Sequence, residues 1–258
     1  MTLAIGIIAK DGVALASDSR ATIGDPRGLT TVNDTVQKVF KITDFCGLAI
    51  AGEGGLAASI FDVFLRSLKE KPDYNNLSID EIVDLLRNTS INRYNEWFPH
   101  LKPQERPFLA MIVCGYRKSA EASLDTPLIF SLLSIRHFAP STDTMGFAAV
   151  GIIPLATYLL NRLYTKNDIN LKGAVELAAF CIRETASQDG KVGGELQLAD
   201  FSKDKSFMLY NEKEVEIVKK RCEEFRKNLR NPIYAKEEPK GEIGPAAPVN
   251  KPEEKTHT

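Results

Sequence analysis

The chain has 258 residues, 43% of them hydrophobic, enough for one large domain or two small ones with a sizeable core. A formal net charge of −1 gives no electrostatic case for nucleic acid or an anionic membrane surface, and no apolar run reaches the ~18–20 residues of a membrane span. The four cysteines, Cys46, Cys114, Cys181 and Cys222, lie far apart without a C-x-x-C pair. They read as free thiols of a reducing cytoplasm, and not as a metal site or a disulfide framework.

Histidine is scarce, with only His100, His137 and His257. None neighbours a G-x-S-x-G elbow or an H-E-x-x-H helix, so a Ser-His-Asp or zinc mechanism has little support. No phosphate- or dinucleotide-binding glycine motif occurs, and no cofactor is expected. Any nucleophile needs a base other than histidine.

The opening stretch, Thr2 to Thr22, holds two short apolar runs around Asp11-Gly12. That dipeptide favours a two-residue hairpin turn, because both central positions then take positive φ. Leu3 to Ala9 is apolar without alternation, as in a strand covered on both faces. Such a strand leaves the chain's own α-amino group at its edge, next to the Thr2 hydroxyl, in the protein interior. With a two-residue turn Thr2 faces Ala21 and Asp18 faces Ile5, on the opposite side of the ribbon from Thr2. A bulge or a third residue is needed to connect Asp18 with Thr2.

Residues 23–35 read as an exposed loop, rich in Gly, Pro, Asp and Asn. In the strand Val36 to Ile42, alternation puts Lys38 on the apolar face with Val36, Phe40 and Ile42. Its stem either snorkels outward or its ammonium is buried and paired with a carboxylate. Cys46 to Ala51 is an apolar strand ending in Gly52-Glu53-Gly54-Gly55, before a helix from Leu56 to Lys71. Glycines at such a joint either serve packing or let backbone N–H groups approach a substrate oxyanion.

Ser78, with Glu81 as a capping box, starts a helix to Tyr94. Strands are expected at Phe108 to Tyr116, Leu128 to Ile135 and Gly146 to Gly151, then helices at Leu155 to Tyr164 and Leu171 to Ser187. Two strands follow, Leu196 to Asp200 and Ser206 to Tyr210, then an amphipathic helix from Glu212 to Arg230. This order of strands and helix pairs predicts an α+β layered fold with antiparallel sheets. The expected division is a domain over 1–211, a C-terminal helix over 212–231 and a disordered tail over 232–258, rich in Pro, Lys, Glu and Gly.

The opening T-x9-D-G-V-x-L-A-x-D-S-R-A-T resembles the first hairpin of the β-type subunits of the proteasome and their bacterial peptidase relatives, among the N-terminal-nucleophile hydrolases. The resemblance extends more diffusely through V-Q-K-V-F-K-I, L-A-I-A-G and D-x-x-V-G-G, over roughly residues 2–200. It implies a four-layer αββα sandwich of two antiparallel sheets between helix layers. It makes Thr2 the nucleophile after Met1 removal, with the freed amine as general base and Asp18 and Lys38 as a buried pair. Gly52 would supply the oxyanion N–H, and Asp189 would be a supporting carboxylate. Residues lining the substrate would be Ala21, Thr22, Val36, Ile50, Gly54 and Ala58.

Ile152 and Val192 depart from the pattern, which has serines at both positions. The implied activity is a cytoplasmic threonine-type peptidase or amidohydrolase in a self-compartmentalising homo-oligomeric ring, acting on peptides or unfolded protein. An ATPase partner is left open. The competing expectations are a non-catalytic ring subunit and an acyl-transfer enzyme of transpeptidase type.

Overall fold

The computed structural model describes residues 2–24, 30–117 and 126–234. The chain opens with strands β1 (Leu3–Ala9), β2 (Gly12–Asp18), β3 (Ala21–Gly24), β4 (Thr30–Asn33), β5 (Val39–Thr43) and β6 (Cys46–Gly52). Helices α1 (Gly54–Lys69) and α2 (Ile79–Trp97) follow, then strands β7 (Leu109–Arg117), β8 (Thr126–Leu133), β9 (Ser141–Thr142) and β10 (Phe147–Gly151). Helices α3 (Pro154–Leu163) and α4 (Leu171–Ala186), strands β11 (Leu196–Phe201) and β12 (Met208–Leu209), and helix α5 (Glu212–Tyr234) complete the described residues.

Two five-stranded antiparallel sheets form the centre, in the orders β10-β1-β2-β11-β12 and β5-β6-β7-β8-β9. Their inner faces meet through Ala4, Leu15, Val39, Ala49, Ile112, Val150 and Phe201. At Gly6 the sheets come so close that a Cβ would sit 2.7 Å from Cys114 Sγ. The outer face of the first sheet, with Leu3, Ile5, Ile7, Ala14 and Ala16, packs against α3, α4 and the first turns of α5. The outer face of the second, with Leu48, Met111, Val113 and Leu132, packs against α1 and α2. This is a four-layer αββα sandwich, the fold of the N-terminal-nucleophile hydrolases.

Helix starts follow local chemistry. Glu53 caps α1 by accepting the N–H groups of Gly55 (3.2 Å) and Leu56 (2.6 Å), which begins that helix earlier than its apolar spacing indicates. Ser78 and Glu81 close the expected capping box on α2. Helix α5 begins at Glu212 and continues past Arg230 to Tyr234. The expected tail lies, from residue 235 on, outside the described residues. Among the described residues, those up to Cys222 form one compact unit, and those from Glu223 to Tyr234 fall outside it.

Two expectations are corrected. The first turn is Lys10-Asp11, since Ala9 pairs with Gly12 and Ile5 with Ala16, so Ile5 does not face Asp18. Neither Lys10, Asp11 nor Gly12 has positive φ. Gly12 is drawn into the ladder because a side chain there would strike Phe201 O at 2.6 Å and Leu171 at 2.9 Å, while Asp11 Oδ1 accepts Leu171 N–H at 2.6 Å. The second concerns the stretch read as a loop: β3 and β4 pair as a two-stranded ribbon, with residues 25–29 outside the described residues. The Thr, Ile and Val of Ala21–Gly24 and Thr30–Asn33 favour strand, a signal outweighed in the sequence by the turn formers between them.

Candidate active site

Strand β1 ends its buried run at Thr2, which is itself 4% exposed and whose carbonyl accepts Ile152 N–H at 2.9 Å. Beside it β2 delivers Asp18, 1% exposed and ringed by donors. Asp18 Oδ1 accepts Leu3 N–H at 3.0 Å and Lys38 Nζ at 3.2 Å. Asp18 Oδ2 accepts Arg20 N–H at 3.2 Å and Gly193 N–H at 3.0 Å. Four donors on one carboxylate stabilise its charge in a site closed to water. By strand alternation Asp18 takes the face of Ala14 and Ala16, away from Thr2, and the third residue that the pairing calls for is Lys38.

Lys38 is 5% exposed and stands just ahead of β5. Its ammonium donates to Asp18 and, at 2.5 Å, to Arg20 O. Its backbone is fixed by Gln197 of β11, whose Oε1 accepts Lys38 N–H (2.7 Å) and Val39 N–H (3.0 Å) while its Nε2 donates to Val36 O (2.7 Å). Burial pushes the Lys38 ammonium below the ordinary lysine value, and the Asp18 charge and hydrogen bond pull it part of the way back.

Thr2 and Lys38 line a cavity of about 550 Å³ together with Gly52 and every expected substrate-lining residue, Ala21, Thr22, Val36, Ile50, Gly54 and Ala58. Gly52 ends β6 at φ +125°, and a Cβ there would lie 2.3 Å from Phe108 O. Only glycine fits that corner, next to the start of α1. Thr22 Oγ1, on the cavity wall, is buried without a hydrogen-bond partner among the described residues.

Asp18 is behind the cavity, reaching it through Lys38. Asp189 is also outside its lining: the half-buried Asp189 turns Oδ1 onto Lys191 N–H at 2.9 Å. The loop that Asp189 opens instead supplies Gly193 N–H to Asp18. Val192 is buried in the helix-side core and Ile152 packs against it, so neither position offers a hydroxyl.

Several contributors escape sequence reading. Phe40 and Phe61, with ring centroids 4.4 Å apart, make an aromatic wall. The signal for Phe61 is its helical spacing from Ala57 and Ala58 on one face of α1. Glu53, the cap of α1, brings a carboxylate to the cavity. Gln197 carries no local sequence signal, because its role depends on a segment far away in the chain.

Residues 2–200 match the family model described as proteasome subunit. The proteasome subunit beta of Methanococcus vannielii is 26% identical over 222 residues, 85% of this chain and 91% of that protein. The proteasome subunit beta of Nanoarchaeum equitans is 28% identical over 209 residues, 79% of this chain and 94% of that protein. Among solved structures, the Anbu complex of Pseudomonas aeruginosa, described as a helical assembly, superposes with a TM-score of 0.73 at 17% identity, over 93% of this chain and 98% of that one. Anbu of Yersinia bercovieri, described as an ancestral beta-subunit, gives 0.66 at 17% identity, over 91% and 97%. Identities this low speak to the fold alone. The family match over most of the length decides the matter: the chain belongs to the proteasome subunit family.

Proposed function

We propose that the protein is an N-terminal threonine hydrolase acting on peptide or related amide bonds, with Thr2 as nucleophile once Met1 is removed. The observation that carries this reading is a buried, carboxylate-paired lysine on the cavity that Thr2 also lines. An ammonium has three N–H donors. Asp18 and Arg20 O take two of those on Lys38, which leaves one for the Thr2 hydroxyl.

The freed α-amino group, with an ordinary pKa near ~8, accepts the hydroxyl proton as Thr2 Oγ1 attacks the substrate carbonyl. Lys38, by its positive charge, makes both the hydroxyl and the amine easier to deprotonate. The oxyanion that develops is received by Gly52 N–H. Collapse expels the amine product, which takes the proton from the terminal ammonium, and leaves an ester on Thr2. Water, deprotonated by the same amine, cleaves that ester and restores the hydroxyl. The apolar walls Val36, Phe40, Ile50 and Phe61 suit cleavage after apolar residues. Copies of the chain are proposed to assemble as a homo-oligomer, supported by the family and by the helical assembly described for the Pseudomonas neighbour.

A second reading, a non-catalytic ring subunit, is favoured by one observation: Val192 and Ile152 bring apolar groups where hydroxyls would help to hold the terminal amine. Turnover of an amide substrate ending in an apolar residue separates the two. Thr2→Ala abolishes it under the first reading. Equal turnover in that variant rules out Thr2 chemistry.

A further inference from the structure

Arg20 and Asp34 stand outside the cavity lining, yet they join the three segments that surround the Asp18–Lys38 pair. Arg20 Nε donates to Asp34 Oδ1 at 2.7 Å and Arg20 Nη2 to Asp34 Oδ2 at 2.8 Å, a two-pronged fork. Arg20 Nη1 adds a bond to Gly190 O at 3.0 Å, in the loop that supplies Gly193 N–H to Asp18. Gly193 lies directly on the guanidinium, where a Cβ would come within 2.7 Å of Arg20 Cζ. Ser19 Oγ ties the same places, donating to Asp34 O and accepting Glu195 N–H at 2.7 Å.

We infer that the Arg20–Asp34 pair is a clamp that holds the Arg20 carbonyl on the Lys38 ammonium, making Arg20 and Asp34 positioning residues for the Thr2 site. Strand β2 ends at Asp18 and β3 begins at Ala21, so Arg20, whose carbonyl meets the Lys38 ammonium, sits between two strands. The residue that carries that carbonyl is held by its N–H, bonded to Asp18 Oδ2 and Gly193 O, and by its anchored side chain. Asp34 opens the irregular segment that carries Lys38. One ion pair therefore fixes the acceptor's residue and the lysine's own segment to each other. The planar fork and its third bond need arginine; a lysine ammonium cannot reproduce them. Because the pair is partly exposed to water, it contributes little to stability, and its loss is expected to show in site geometry and rate.

The consequence for rate rests on the threonine-hydrolase reading; the consequence for Lys38 does not. The test is brief acetic anhydride labelling of the full chain, read at Lys38 by peptide mass spectrometry, in the parent, Arg20→Met and Asp34→Asn. Lys38 is expected to resist in the parent and to react about tenfold faster in both variants, as its enclosure loosens. Arg20→Lys is expected to fall between. The kcat per folded site is expected to drop ~10–100-fold with KM nearly constant, the size of effect that small misplacements produce. Unchanged Lys38 reactivity in both folded variants overturns the clamp, whatever kcat does. Released Lys38 together with a parent whose Thr2 never reacts leaves the clamp standing and removes the threonine-hydrolase reading instead.

Discussion

Lys38 Nζ and Asp18 Oδ1 lie 3.2 Å apart with almost no water access to either, and the same carboxylate holds the N–H of Leu3, the residue after Thr2. One buried charge pair thus fixes both the lysine and the peptide unit that follows the proposed nucleophile. Asp18→Asn removes the negative charge and leaves the ammonium uncompensated. Breaking a buried pair from one side is expected to cost about 3–5 kcal/mol, measured by urea unfolding of parent and variant. A variant within ~0.5 kcal/mol of the parent contradicts the pairing.

The same burial predicts a pH dependence. Desolvation lowers the folded-state pKa of Lys38 below its ordinary 10.5. Between the lowered value and 10.5 the unfolded chain binds more protons than the folded one, so stability contributed at this site rises with pH across that window. Below the window the penalty for burying the charge is fully present. Subtracting the Lys38→Met stability profile from that of the parent isolates the effect. The difference should climb in the parent's favour through the alkaline range; a falling difference means that Asp18 outweighs burial.

Thr22 Oγ1 gives a stability prediction of unusual sign. A buried hydroxyl without a partner among the described residues gains nothing from folding and has lost its water. Thr22→Val, of the same shape and equally suited to a strand, is expected to be neutral or to stabilise by about 1 kcal/mol. Thermal unfolding decides it. A loss of stability would reveal a partner for that oxygen.

Gly52 allows a test of backbone design. Alanine there meets Phe108 O at 2.3 Å from a φ of +125°, so Gly52→Ala is expected to destabilise by at least ~1–3 kcal/mol. It should also reduce turnover in the fraction that still folds, because the proposed oxyanion donor must shift with the corner. Parent-like stability and kcat together count against the proposed role of this corner.

Much of this architecture is legible locally. Leu3–Ala9 is continuous apolar sequence because β1 is covered by α4 on one side and the second sheet on the other, and the Ser78–Glu81 box fixes α2 without tertiary help. The pattern puts Lys38 on the apolar side with Val36, Phe40 and Ile42 but leaves open whether its ammonium snorkels outward or is buried. The strand begins only at Val39, and the burial is settled by Asp18. What failed was set by distant contacts. The first turn moved to Lys10-Asp11 because Leu171 and Phe201 crowd Gly12, and neither is a sequence neighbour. Gln197 grips the backbone at Lys38 from β11, and Arg20 meets Asp34 across the β3–β4 ribbon. Such pairings are written in the topology.

The most direct test of the Thr2 chemistry is the intact mass and peptide map of the protein made in cells, after exposure to an epoxyketone that reacts with an amine and a hydroxyl on one residue. The expected result is a chain lacking Met1, carrying one adduct on Thr2 that is absent from Thr2→Ala. A chain that retains Met1 and gains no adduct contradicts the proposed nucleophile.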